Sequence, residues 1–213
     1  MAKRRASAAR SPWGAREDRE REREAKREAV LTTAVRFFNM KGFHATSLDD
    51  VALALNVTKP TIYHYFASKD DILFACVQLG LNRIRDAVET AAAQGGSGLD
   101  RLRALMREYA LVMTRDFGVC VMRTSDDQLS QESRAKFRAG KREIDKVLRG
   151  VIADGVADGS IAPGDVRAIA FTLAGALNSI ARWYDPKGPA TAQDVADQTV
   201  AILVDGLKPS RGR

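Results

Sequence analysis

Between residues 46 and 69 stand Thr46, Ser47, Thr58, Lys59, Thr61, Tyr63, His64 and Lys69. The group brings four aliphatic hydroxyls, two ammonium groups, a phenol and an imidazole into one short stretch. The hydroxyls, phenol and imidazole both donate and accept hydrogen bonds, and the two ammonium groups are cations that donate. That suits a polyanion with readable edges: hydroxyls and cations for phosphates, phenol and imidazole for bases. The expected chemistry is recognition of double-stranded DNA. In this reading Lys59, Thr61, Tyr63 and His64 face the bases, while Thr46, Ser47, Thr58 and Lys69 hold phosphates.

The elements that would position these groups are two short helices and a tight turn, TSLDDVALALNVTKPTIYHYFASK. Thr46 is a good N-cap, and Asp49 three residues on gives an acidic capping box. Leu48, Val51, Ala52 and Leu55 then share a helical face. Asn56 can take the left-handed conformation that ends a helix. Val57 plugs the turn. Thr58 caps again, and Pro60 is tolerated because it falls in a first turn. The second helix runs from about Lys59 to His64, with Ile62 and Phe66 inward. Ser68 caps a third helix, whose positive end carries Lys69.

This segment resembles the TetR family of transcriptional regulators. The resemblance rests on Phe37-Phe38, Gly42-Phe43, Thr46-Ser47, Asp50-Val51-Ala52, Val57-Thr58, Thr61 to Phe66, and Ser68-Lys69 followed by Leu73. It covers about residues 25–77. Thr58-Lys59-Pro60 stands where family members often carry Ser, a variable residue and Gly or Pro, so base preference does not carry over. The resemblance implies a helix-turn-helix head, a larger helical effector domain and a homodimer. The last two long helices would pair with their copies, which places the interface on about 165–183 and 192–207.

Charge is placed accordingly. The net charge is +7. Residues 1–70 hold 14 Lys+Arg against 9 Asp+Glu, and the rest hold 20 against 18, so the excess sits with the DNA-binding end. No apolar run reaches the ~18 residues of a membrane span. The basic N-terminus lacks the apolar core of a secretory signal. Cys76 and Cys120 are too few for a disulfide framework and read as buried thiols, which fits a cytoplasmic protein. No catalytic, metal or cofactor constellation is present. The two histidines, His44 and His64, both fall in the DNA-binding region. No His/Cys pair has metal-ligand spacing, and Gly95-Gly96-Ser97-Gly98 lacks the strand and Lys of a phosphate loop.

The expected fold is all-α. Residues 1–15 read as a disordered basic arm, 16–70 as the three-helix DNA-binding domain, 71–207 as the effector and dimerisation domain, and 208–213 as a tail. Val30, Leu31, Ala34, Val35 and Phe38 give the first helix its stripe, and Gly42 ends it. A long helix follows Ser68. Gln94 to Gly98 is a flexible break. Helices follow over Leu99–Arg115, Glu132–Val156, 166–184 and from Thr191 onward, with Phe117–Met122 as an apolar connector.

Met106, Tyr109, Met113, Phe117 and Asn178 are the candidate effector contacts. Met and aromatic groups suit an adaptable apolar pocket, although the same stripe also suits ordinary core. Asn178, amid apolar neighbours, could bond a ligand, cross the dimer or cap a helix. Arg182-Trp183-Tyr184-Asp185-Pro186, with Gly206-Leu207, resembles the fatty-acid and sterol catabolism branch of the family. That resemblance implies an acyl-CoA effector, with Arg123, Arg134, Lys136, Arg138 and Arg182 available for its phosphates. The runner-up is a multidrug-type sensor of flat apolar cations, which would need a buried carboxylate that is not obvious in the middle helices. A ligand-independent DNA-binding protein is a further alternative.

Overall fold

The protein is seen in a computed structural model that describes residues 14–205. Among the described residues there are nine α-helices, one short 3-10 helix and no strands. Helix α1 spans Gly14–Lys41, α2 Leu48–Ala54, α3 Lys59–Tyr63, α4 Lys69–Ala92, α5 Gly98–Met113, α6 Asp116–Arg123, α7 Gln131–Ala157, α8 Val166–Trp183 and α9 Ala192–Asp205. The expected arm falls mostly on residues 1–13, outside the described residues, as do Gly206, Leu207 and the tail. Without residues 1–13 the head is nearly neutral, since residues 14–70 hold 10 Lys+Arg against 9 Asp+Glu.

The helix boundaries follow local chemistry. Gly42 ends α1 with φ +84 and Asn56 ends the α2 region with φ +55, both left-handed. Ser68 Oγ accepts from Asp71 N at 3.0 Å and opens α4. Thr191 and Asp194 bond reciprocally at the start of α9. At α2 the cap is Ser47, whose Oγ accepts from Asp49 N at 3.0 Å. Thr46 instead is buried and donates to Gly42 O at 2.8 Å, so the expected cap shifts by one residue. Thr58 holds the N-cap position of α3 without a cap bond, its hydroxyl lying 2.9 Å from that of Thr61. Val57 is 39 % exposed and does not plug the turn.

Two further expectations are corrected. The connector over Phe117–Met122 is the helix α6, which buries Phe117, Gly118, Cys120 and Val121. The glycine run before α5 is not a loose break at its end. Gly98 N donates to Asp158 Oδ2 at 2.7 Å, and Leu99 N to Ser160 Oγ at 3.0 Å. A Cβ on Gly98 would lie 2.2 Å from Gly155 Cα, so α5 and α7 touch backbone to backbone there.

One core runs through the molecule. Val35, Phe38 and Ile62 in the head belong to the same buried cluster as Leu73, Leu105, Leu148 and Ile180 beyond it. Helix α4 joins them, packing against α1 at one end and against α5, α6 and α7 along its length. Helix α5 is central to the larger unit and contacts α7, α8 and α9. The two thiols are buried, and burial pushes both upward, Cys120 to about 12. No helix among the described residues is long and apolar enough to cross a membrane.

Candidate nucleic-acid interface and effector cavity

Helix α3 has one buried residue, Ile62, which is fully sealed. That anchor leaves Thr58, Thr61, Tyr63 and His64 exposed on the outside of the head. Tyr63 is 47 % exposed despite its size, which suits a residue kept for a partner. Lys59 Nζ binds Asp49 Oδ2 at 2.9 Å and ties α3 to α2. The Lys59 hydrogen bond holds the Asp49 carboxyl below the usual carboxylate range, and Asp49 raises Lys59 in return. Ser47 is half-buried beside them at the start of α2.

Two of the expected phosphate contacts serve the fold instead. Thr46 is 2 % exposed and its hydroxyl is committed to Gly42 O. Lys69 Nζ reaches back to the carbonyls of Phe43 at 3.0 Å, His44 at 3.5 Å and Thr46 at 3.1 Å, above the Phe43 ring. An ammonium has three N–H donors, so this side chain is fully used. It pins the loop between α1 and α2, which in turn sets Ser47 and the start of α2.

Lys69→Met is therefore expected to lower stability by about 1–3 kcal/mol, because charge-assisted bonds to partly buried carbonyls are lost. Operator affinity falls with it, but the slope of log affinity against log salt stays as it was. A lost phosphate contact would flatten that slope by roughly 0.9. Tyr63→Ala should weaken operator binding with an unchanged melting curve. Salt titrations of both variants decide the assignment, and a flattened slope for Lys69→Met would restore it to the phosphates.

The larger helical domain holds a cavity of about 280 Å³, open on one side, between α4, α5, α6, α7 and α8. Leu81, Ile84, Val121, Phe137 and Leu148 make apolar walls. Of the five expected contacts, Tyr109 and Asn178 line it. Tyr109 Oη donates to Asn178 Oδ1 at 3.0 Å, and burial pushes the phenol up to about 12. Met106 and Met113 are fully sealed in the core and stand outside the lining. Phe117 lies under the Arg83 guanidinium, 4.5 Å away, and is also outside it. The cavity wall also takes Met122, which sequence reasoning grouped with these Met and aromatic residues, and Lys141, Asp145 and Phe171, which it did not single out.

The charged rim also differs from expectation. Arg134 and Arg138 bind Asp126 and its neighbours, Lys136 binds Glu132, and Arg123 binds the Asn39 carbonyl. Arg182 is exposed and outside the lining. The cations near the cavity are Lys141 and, beside the Phe171 ring, Arg149 and Arg167, at 5.3 and 5.5 Å from its centre. A carboxylate, Asp145, does line the cavity, but Arg149 neutralises it at 2.7 Å.

The head and the effector domain also meet through α1 and α6. Asn39 Nδ2 donates to Asp116 O at 2.9 Å, Arg36 pairs with Asp116 at 3.4 Å, and Arg123 donates back to Asn39 O. On α8 and α9, Phe171, Trp183 and Ile202 are exposed, and a Cβ on Gly175 would meet open space.

Comparison with known proteins agrees with this layout. Residues 30–76 match the model of bacterial regulatory proteins of the tetR family, and residues 95–207 match the tetracyclin repressor-like C-terminal domain. The chain is 26% identical over 191 residues to the HTH-type transcriptional repressor KstR2 of Mycolicibacterium smegmatis, covering 88% of this chain and 93% of that one. The TetR family regulator PfmR of Thermus thermophilus superposes with a TM-score of 0.77 at 31% identity, covering 84% of this chain and 99% of the other. AibR, solved with isovaleryl coenzyme A and operator DNA, gives a TM-score of 0.75 at 29% identity, covering 84% and 97%. A DNA-binding head with exposed Thr61, Tyr63 and His64, joined by α4 to a helical domain with a cavity, thus has its sequence and structural kin in one place: the chain belongs to the TetR family of transcriptional regulators, non-enzymatic proteins that dimerise and bind operator DNA.

Proposed function

We propose that the chain is a cytoplasmic, homodimeric repressor that leaves a palindromic operator when an acyl-CoA thioester enters the cavity between α4 and α8. The observation that carries this is the cavity's chemistry. Its walls are largely apolar, Lys141 stands on its lining, and Arg167 lies over the exposed Phe171 beside Arg149, which pairs with Asp145. Apolar walls suit an acyl chain, and the cations suit phosphates. The kinship to AibR, solved with isovaleryl coenzyme A, and to a fatty acid metabolism regulator of Bacillus subtilis points the same way.

The DNA side follows from the head. Lys59, Thr61, Tyr63 and His64 read base edges, and Ser47 and Thr58 hold the backbone. The dimer joins through 165–183 and 192–207, placing two recognition helices about 34 Å apart on successive major grooves. Leu81 and Ile84 of α4 form part of the cavity wall, while Lys69 at the other end of α4 pins the head. A ligand that fits only one position of α4 shifts the population between two head spacings. Release follows from that difference in affinity.

The test uses an operator selected by the protein from random DNA, followed by fluorescence anisotropy. Octanoyl-CoA should lower operator affinity by roughly 5–150-fold. Coenzyme A alone, octanoate and a flat cationic dye such as rhodamine 6G should not. Release by the dye alone would favour the cation-sensor reading, and release by coenzyme A alone would remove the acyl group from the account.

A further inference from the structure

The cavity holds a polar pair that apolar walls do not call for. Tyr109 on α5 is 7 % exposed and donates its hydroxyl to Asn178 Oδ1 on α8 at 3.0 Å. That bond orients the amide and leaves its nitrogen free. Asn178 lines the cavity, and among the described residues no acceptor pairs with Nδ2. Nor is this nitrogen sealed from solvent: among the described residues the buried side-chain atom without a partner is Asn39 Oδ1, at the contact of α1 with α6. Asn178 therefore presents an N–H donor to a space that Leu81, Ile84 and Leu148 wall and that Thr124, Lys141 and Asp145 also border.

A hydrocarbon ligand at this end would strip the amide of water and return no bond. A ligand with a carbonyl oxygen there would satisfy it. Sites built to hydrogen-bond a ligand discriminate through this asymmetry. Size narrows the class further. A space of about 280 Å³ has room for an acyl group of several carbons, and its open side leaves the rest of the ligand outside. Lys141 is exposed and Tyr109 is nearly sealed, so the charged part of a ligand stays with Lys141 and the far end of the acyl group lies toward Tyr109.

We infer that the effector is a short or medium acyl thioester whose buried end carries a carbonyl oxygen, bonded by Asn178 Nδ2 and preferred over the plain hydrocarbon. The thioester rests on the acyl-CoA reading above; the carbonyl rests on the cavity alone.

The experiment compares 7-oxooctanoyl-CoA with octanoyl-CoA by calorimetry, in the natural protein and in Asn178→Leu, which keeps the branched shape of the side chain without its polar atoms. The natural protein should bind the oxo compound about tenfold more tightly, the worth of one good hydrogen bond. In Asn178→Leu the preference should vanish while octanoyl-CoA still binds. Tyr109→Phe reads the same point independently, because an amide no longer held by the phenol discriminates less. A thioester-free arm uses cyclohexanone and methylcyclohexane, followed by the methyl resonance of Met122, which lines the cavity. Preference for the ketone there, with neither thioester bound, would uphold the carbonyl inference and reject the acyl-CoA reading. Equal affinity for both thioesters, a preference that survives in Asn178→Leu, or no response of Met122 to either small molecule overturns the inference.

Discussion

Ile202→Glu is expected to turn the dimer into a folded monomer and to cost roughly a hundred- to ten-thousand-fold in operator affinity. Ile202 is 75 % exposed on α9, so in the isolated chain a glutamate there meets only water. At a two-fold interface the change occurs twice, each copy facing the partner's matching surface. A carboxylate desolvated between helices without a partner costs several kcal/mol. The affinity estimate follows from losing the second head. A dimer binds its second half-site with a high effective concentration, and a monomer forfeits that gain. Light scattering and anisotropy check the two parts, and an unchanged helical circular-dichroism spectrum confirms folding. A dimer of normal mass would move the interface away from α9. Gly175, which faces open space on α8, marks where a partner helix could approach most closely.

The DNA-binding head was legible in the sequence because its instructions are local. Ser68 caps α4, Asn56 and Gly42 take left-handed conformations, and Pro60 sits in the first turn of α3. Each signal acts over a few residues, so no knowledge of the fold is needed to read it. The error at Thr46 and Ser47 is of one residue, and either hydroxyl satisfies the same local rule. Lys69 misled for a different reason. A cation at a helix start is visible in sequence, but its acceptors lie 23 to 26 residues earlier and exist only once the loop has closed. The cavity was half legible. A helical stripe says which residues point inward, and Met106, Met113 and Phe117 do. It does not say where neighbouring helices stand apart and leave a void. That depends on how α7 and α8 sit against α4 and α5, and the walls from Leu81, Phe137, Lys141 and Phe171 came with it. The Tyr109–Asn178 pair could have been suspected from a lone amide at an inward position.

Gly80→Ala is expected to separate the effector domain from the head's lever, with a loss of about 1–3 kcal/mol or more in stability. Gly80 is buried on α4 where α6 crosses closely. A Cβ there would lie 2.4 Å from Phe117 O and 2.5 Å from Val121 Cγ2. A side chain such as Val121 can turn aside, but the carbonyl of Phe117 belongs to the backbone of α6 and can move only with its helix. Helix α6 is tied to α1 through Asp116 and Arg123, so its displacement is felt at the head. For a chain of this size about 3 kcal/mol lowers the melting temperature by roughly 6–12 °C. Among molecules that remain folded, operator affinity should also fall, because α4 is held off α6 without any ligand. Gly150→Ala is the control: it lies exposed within α7 with nothing near its added Cβ, and alanine there should stabilise by about 0.5–1 kcal/mol. Scanning calorimetry of both variants, with anisotropy on the operator, reads the two effects separately. Equal melting temperatures for Gly80→Ala and the natural protein would mean that α4 and α6 are not locked at this point, and the route from the cavity to the head would then have to run through α1 and α6 without it.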